Sequence, residues 1–311
     1  MNKKKTVLSD YFYDWMETYK KPLVSQATYV KYKNTHAQII KYFGDVSIGE
    51  LTASIYQRTI NNYSQTHAKL TVSCFHKQIH ACILDAVDES LIVIDPTRKA
   101  IITGRKKESN KSRYLNYTEW KLLVNKTYNS ENIMDQIIYL AAVTGMRYAE
   151  VLGLTWDNID FVNRKIEVTK TWDYKYHKGF IDTKNKSSRR KIDVDSHTLD
   201  MLKTIKAISQ IDSPYNLVFY YTQGKELYSA NINKHLSALC TSLKLKEISF
   251  HSLRHTQASI LLYLGLSILT VSKRLGHSNV TTTQEVYIHI IKEMQEKESE
   301  SIVHAIDSAF L

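Results

Sequence analysis

Apolar residues recur every three or four positions through most of this chain, and that period is the signature of amphipathic helices. From Ser25 to Phe43 the recurring positions are Tyr29, Tyr32, His36, Ile39, Ile40 and Phe43. Ser25 stands where an N-cap belongs, and Gly44 follows the last periodic residue as a stop. A shorter helix is predicted to start at Thr52, and a longer one carries Val72, Phe75, Ile79, Ile83 and Val87 on one face. With the segment near Trp15, these predict a small bundle of about four helices.

The period is then lost. Asp95-Pro96 is followed by a polar run from Gly104 to Arg113 containing Arg105, Lys106, Lys107, Lys111 and Arg113. Pro and Gly ahead of an aperiodic charged stretch mark a linker. Two readings compete: a solvated loop, or a basic strap following a phosphate backbone, in which Lys106, Lys107, Lys111 and Arg113 touch DNA. Helical spacing resumes over 118–128 and 132–153. Residues 158–171 predict a hairpin turning at Val162-Asn163-Arg164, and a third strand over 190–194 completes an antiparallel sheet. Helices return near Leu199 and continue to the end. The expected architecture is mainly α: an N-terminal helical bundle over 1–103, a basic linker over 104–113, and an α+β domain with a small antiparallel sheet over 114–311. No internal repeat or low-complexity segment interrupts it.

Composition narrows the partners. The 311 residues include 42 Lys and Arg against 31 Asp and Glu, a net charge of +11, which concentrates polyanions near the surface. Nucleic acid is the first partner to consider, with charge kept for solubility as the competing reading. Three cysteines without a CxxC pair argue for a reducing compartment and against a thiolate zinc site. The basic start meets Asp10 and Asp14 where a signal peptide needs an apolar run, and the stretch Ile260–Val271 is too short and interrupted to span a bilayer. A cytoplasmic protein that engages no membrane is expected.

Four separated segments carry candidate chemistry. In Thr144-Gly145-Met146-Arg147-Tyr148-Ala149-Glu150, Gly145 breaks a helix and Arg147 opens the next, where free N–H groups already favour an anion. Glu150 lies three residues on and can hold that guanidinium; a surface ion pair is the plainer reading. The run from Thr183 to Ile192 holds Lys184, Lys186, Arg189, Arg190 and Lys191. It suits phosphate contacts, with Lys186, Arg189 and Arg190 as DNA-binding candidates, and a lysine among other cations has the lowered pKa a proton donor needs. In His251-Ser252-Leu253-Arg254-His255, His251 and Arg254 share a helix face. His251 and His255 also have zinc-ligand spacing, but the glutamate of an H-E-x-x-H pattern is missing and Arg254 would repel a cation. Finally, Leu275-Gly276-His277 precedes Tyr287 by ten residues. One tyrosine among 21 is unremarkable; its setting singles it out.

In this order the segments resemble the tyrosine recombinase, or phage integrase, family over nearly the whole chain. The box T-G-x-R-x-x-E falls on Arg147 and Glu150, H-x-x-R on His251 and Arg254, L-G-H on His277, and the terminal tyrosine on Tyr287. The family lysine, in the turn between the second and third strands, falls best on Lys184, with Lys186 as rival. The chain resembles most the integrases of Gram-positive prophages and conjugative elements. Many of these carry a further arm-binding domain; here the core-binding pattern begins within about ten residues, so that domain is not expected.

The resemblance implies a SAM-like core-binding domain followed by a catalytic domain, acting on double-stranded DNA as a homotetramer, with a possible directionality factor and no metal or cofactor. It implies that Tyr287 attacks a phosphodiester to form a 3′-phosphotyrosine and free a 5′ hydroxyl. Arg147 and Arg254 would clamp the non-bridging oxygens, Lys184 protonate the leaving oxygen, His251 serve as acid–base partner to Tyr287, His277 hydrogen-bond the phosphate, and Glu150 orient the first box. The residue types suit the task. An ordinary tyrosine pKa near 10 makes phenolate cost about 4 kcal/mol at neutral pH, and a cationic pocket lowers that cost while neutralising the phosphate. The tail places Ile302, Val303, Ala305, Ile306, Ala309 and Phe310 on a short apolar face that docks on a neighbour or on its own domain. Rival readings are a type IB-like topoisomerase, a DNA-binding regulator with a dead site, and a zinc hydrolase resting on His251 and His255.

Overall fold

The computed structural model describes residues 5–106, 114–176, 179–183, 186–208, 213, 215–220, 227–279, 281 and 283–284. It divides into two compact units, Met1–Glu108 and Ser109–Leu311.

The first unit is helical. Helix α1 (Leu8–Trp15) runs into a π-helical turn (Met16–Lys20), followed by α2 (Gln26–Phe43), α3 (Ala53–Thr66) and α4 (Lys69–Asp88). The apolar spacing seen in the sequence is the buried stripe: Ile39 and Phe43 of α2 meet Val72, Phe75, Ile79 and Ile83 of α4 in one core. Gly44 ends α2 at φ +58°, where a side chain would be strained. Thr52 caps α3 by accepting from the Ile55 N–H at 3.2 Å. Ser25 occupies the N-cap of α2, but its hydroxyl pairs with that of Thr28 at 3.1 Å and caps no backbone N–H.

Gly104 and Arg105, the first two residues of the expected linker, make close backbone contacts with the start of α4. The Arg105 N–H donates to the His67 carbonyl at 2.8 Å, and Arg105 bridges Ala68 in parallel. A Cβ on Gly104 would lie 2.2 Å from the Lys69 backbone nitrogen. Gly104 and Arg105 are thus held to the start of α4, because only glycine allows so close an approach. Lys106 follows, exposed; Lys107, Lys111 and Arg113 lie outside the described residues.

The second unit is built around α6 (Ile133–Thr144), in which every residue from Ile137 to Ala142 is buried. A helix apolar on all sides belongs at the centre of a core. Helices α5 (Tyr117–Thr127), α9 (Ser229–Ser242) and α10 (Phe250–Tyr263) pack on it, and α7 (Tyr148–Leu152), α8 (Ser196–Ile208) and α11 (Ile268–Leu275) complete the α-helical set among the described residues. The predicted sheet is present: β1 (Ile159–Asp160), β2 (Lys165–Val168) and β5 (Arg190–Asp193) form an antiparallel set in the order β1-β2-β5. Ile159, Ile166 and Ile192 stand opposite one another across it, all buried. That row fixes the register, since a slip of one residue would expose all three. A second hairpin, β3 (Lys170–Trp172) with β4 (Phe180–Asp182), was not visible in the sequence pattern. It is held by rings, with Trp172 against Phe180 at 5.2 Å and against Tyr215 at 5.0 Å. Among the described residues no helix is long and apolar enough to cross a membrane.

Candidate active site

The site begins where α6 stops. Gly145 takes the left-handed conformation, φ +69°, and turns the chain so that Arg147 becomes the N-cap of α7. Glu150, in the first turn of α7, returns to the Arg147 backbone N–H at 2.8 Å and accepts from the Arg147 guanidinium at 2.7 Å. This is no surface pair: Glu150 is buried.

Helix α10 brings in the second guanidinium. Arg254 is 2% exposed, and it donates through Nη1 to the Gly145 carbonyl at 2.9 Å, through Nη2 to the Leu275 carbonyl, and through Nε to Nε2 of His277 at 3.2 Å. Arg147 Nη2 donates to the Gly276 carbonyl at 3.3 Å. The last carbonyls of a helix have no intrahelical partner and carry the negative end of its dipole, so the C-terminus of α11 is a fitting anchor for cations. His251 lies one turn before Arg254, exposed, and lines with Arg147, Glu150 and Arg254 a cavity of about 400 Å³. A guanidinium has five N–H donors. Arg147 and Arg254 therefore keep donors for an anion in that cavity after their protein bonds are counted.

The electrostatics follow from this crowding. Burial alone would raise the Glu150 carboxyl, but the hydrogen bonds and charge of Arg190, and then Arg147, outweigh it and hold the group below the usual carboxylate range. Burial, followed by Arg147, lowers the Arg254 pKa against the pull of Glu150; a guanidinium still keeps its proton at neutral pH. Desolvation by the surrounding protein, then Arg254 and Arg147, lowers His251. His277 is pushed down to about 3 by burial and then by Arg254 and Arg147. Both histidines are accordingly neutral near pH 7, as a proton acceptor must be.

The fold thus brings Arg147, Glu150, His251, Arg254 and His277 together. Lys184 and Tyr287 lie outside the described residues, as does the side chain of Lys186. Arg189 is exposed and pairs with Asp182 at 3.3 Å. Arg190, grouped by sequence with the surface cations, is buried on Glu150. Strand alternation signals this placement, because Arg190 shares its face with inward-pointing Ile192 and Val194. Thr283, buried and 2.8 Å from His277 Nδ1, was also missed, and nothing in the run of threonines distinguishes it. The rings of His251 and His255 meet edge to face at 5.0 Å. Among the described residues no group of three or more His, Cys, Asp or Glu is placed to hold a metal.

The model of the phage integrase family matches residues 113–294, and that of the phage integrase N-terminal SAM-like domain matches residues 7–64. The integrase of Staphylococcus phage L54a is 30% identical over 63% of this chain, and the match spans 63% of that relative's length. A XerC-like tyrosine recombinase of Caldanaerobacter subterraneus is 26% identical over 98% of this chain and 83% of its own. In fold, the chain is similar to the Tn1549 transposon integrase solved with a circular intermediate DNA, with a TM-score of 0.78 at 16% identity over 94% of this chain and 99% of the other.

Proposed function

The chain belongs to the phage integrase family, the enzymes of the tyrosine recombinase class, and from that premise we propose that it integrates or excises a mobile element by cutting and rejoining double-stranded DNA at an attachment site. The observation that carries this reading is the pair of guanidinium groups, Arg147 and Arg254, lining one cavity beside His251. In the proposed reaction the Tyr287 oxygen attacks phosphorus while His251 takes the phenolic proton. The bond to the 5′ oxygen breaks, and Lys184 supplies that oxygen with its proton. Arg147 and Arg254 hold the non-bridging oxygens, each contributing about 2.5–4 kcal/mol to the transition state by analogy with other oxyanion donors. The phosphotyrosine conserves the bond energy, so a 5′ hydroxyl of another strand reverses the step.

The likeness in fold extends to solved complexes described as a lambda integrase tetramer bound to a Holliday junction and a lambda integrase dimer bound to a core site. By analogy this chain acts as a tetramer on two duplexes, with its directionality set by an accessory protein. Residues 1–103 and 114–311 each contact the duplex and the basic stretch 104–113 follows its backbone, while the apolar face from Ile302 to Phe310, which lies outside the described residues, docks on a neighbouring protomer.

The test is a suicide DNA substrate that traps the covalent intermediate. The native chain should give a protein–DNA adduct on a denaturing gel, with Tyr287 in the linked peptide. Tyr287→Phe should bind DNA and give none. A Tyr287→Phe adduct of normal yield refutes the nucleophile, and efficient relaxation of a plasmid lacking any target site moves the reading to a topoisomerase.

A further inference from the structure

Arg190 belongs to a sequence cluster of cations, yet its side chain is 5% exposed, packed on a Glu150 side chain that is 1% exposed. Its Nη2 donates to Glu150 Oε2 at 2.9 Å and its Nη1 to Oε1 at 3.2 Å, a two-point fork on the carboxylate. Nη1 also donates to the Ser188 carbonyl at 3.0 Å, and Nε to the Arg274 carbonyl at 2.7 Å. Four of its five donors are thereby committed to the protein. Such a guanidinium has little left to offer a phosphate.

What it touches is the frame of the site. Three successive carbonyls at the end of α11 accept from three different arginines: Arg274 from Arg190, Leu275 from Arg254, and Gly276 from Arg147. Unpaired carbonyls at the negative end of a helix offset the mutual repulsion of guanidinium groups held this close. Glu150 is shared between Arg190 and Arg147. A buried carboxylate needs compensation. Without Arg190, Glu150 would draw both of its oxygens onto Arg147 and pull that guanidinium away from the cavity.

We propose that Arg190 is a positioning residue for strand cleavage: it takes up the inner share of Glu150 and the first free carbonyl of α11, and so leaves Arg147 aimed into the cavity alongside Arg254. The proposal rests on the recombinase reading above and assigns Arg190 no DNA contact.

Single-turnover adduct formation and half-site binding, measured together, test it. Arg190→Met should bind a half-site within about threefold of the native chain and with the same salt slope, since no phosphate contact is lost. Its cleavage rate should fall by about 100-fold, the scale of a misplaced reacting group. Adding Glu150→Gln removes the unpaired carboxylate and should recover at least about tenfold of that rate, by coupling between touching residues. A purely architectural role would predict no such recovery. Arg190→Lys, which keeps a charge for Glu150 but not the fork, covers the case in which Arg190→Met does not fold; it should bind normally and cleave about tenfold more slowly. Weakened binding with a shallower salt slope, a native cleavage rate in either folded single variant, or a double variant no faster than Arg190→Met overturns the proposal. Failure of the native chain to form any adduct would instead sink the recombinase reading itself.

Discussion

Arg254 donates its Nε–H to Nε2 of His277 at 3.2 Å, and this bond sets which nitrogen of the imidazole carries the proton. A guanidinium only donates, so Nε2 is bare and the proton sits on Nδ1, facing the Thr283 hydroxyl at 2.8 Å. In this arrangement His277 acts as an acceptor that orients an arginine. The role expected from its motif, a hydrogen bond donated to phosphate, requires the Nδ1–H to leave Thr283, or else the other tautomer and the release of Arg254.

Thr283 is then a control point. Thr283→Val keeps the shape but removes the hydroxyl that accepts from Nδ1 and orients the ring, at a cost of about 1 kcal/mol, and single-turnover cleavage should slow about five- to tenfold. Thr283→Ser, which restores a hydroxyl, should return most of the rate. Equal rates for the native chain and the valine variant would show that the ring is oriented by Arg254 alone.

Gly276 makes a second case, this one about stability. Its φ of +68° lies in the left-handed region, and a Cβ there would stand 2.7 Å from the Ser187 carbonyl oxygen and 3.0 Å from Arg190 Cδ. The strain and the backbone collision together should make Gly276→Ala about 2 kcal/mol less stable, read as a lower urea midpoint at unchanged slope. A variant as stable as the native chain would mean that the turn of residues 186–188 yields freely.

Arg190 and Thr283 show why the site was only partly legible in the sequence. Arg147, His251, Arg254 and His277 stand in short motifs whose order and spacing can be read directly, and the structure gathers them because α6 and α11 both pack on α10. The helices were equally legible, since an apolar stripe such as Val72-Phe75-Ile79-Ile83 is a local pattern. The roles of Arg190 and Thr283 were not: alternation sets Arg190 on the inner face of its strand, but the partners that give both residues their meaning, Glu150 and His277, lie 40 and six residues away and are met only after folding. The β3–β4 hairpin escaped for a related reason. Its strands are three residues each, and the Trp172–Phe180–Tyr215 cluster that stabilises them joins distant positions.

Lys184 is tested chemically rather than by geometry. Protonating the leaving 5′ oxygen is its proposed task, and a 5′-bridging sulfur leaves without that help because a thiolate is far more stable than an alkoxide. Lys184→Ala should be at least about 100-fold slower on the ordinary substrate and near the native rate on the sulfur substrate. Rescue seen for Lys186→Ala and not for Lys184→Ala would transfer the role to Lys186.

Acid sensitivity should follow from His277. Its native pKa is lowered to about 3, from an ordinary value of 6.5, by burial first and then by Arg254 and Arg147. Above pH 6.5 the imidazole is neutral in both folded and unfolded chains, and its contribution to stability is fully present. As the pH falls below 6.5 the unfolded chain takes up a proton that the folded one refuses, so the balance shifts toward unfolding until about pH 3. One such proton gives a slope of about 1.4 kcal/mol per pH unit at most. His277→Gln keeps an acceptor for Arg254 but cannot titrate, so its unfolding free energy should fall less steeply than that of the native chain between pH 6 and pH 4.5, about the upper half of the window. Parallel slopes for the two proteins, measured by urea unfolding across that range, would mean that His277 takes up its proton in the folded state as readily as in the unfolded one, and that the arginines around it do not keep it neutral.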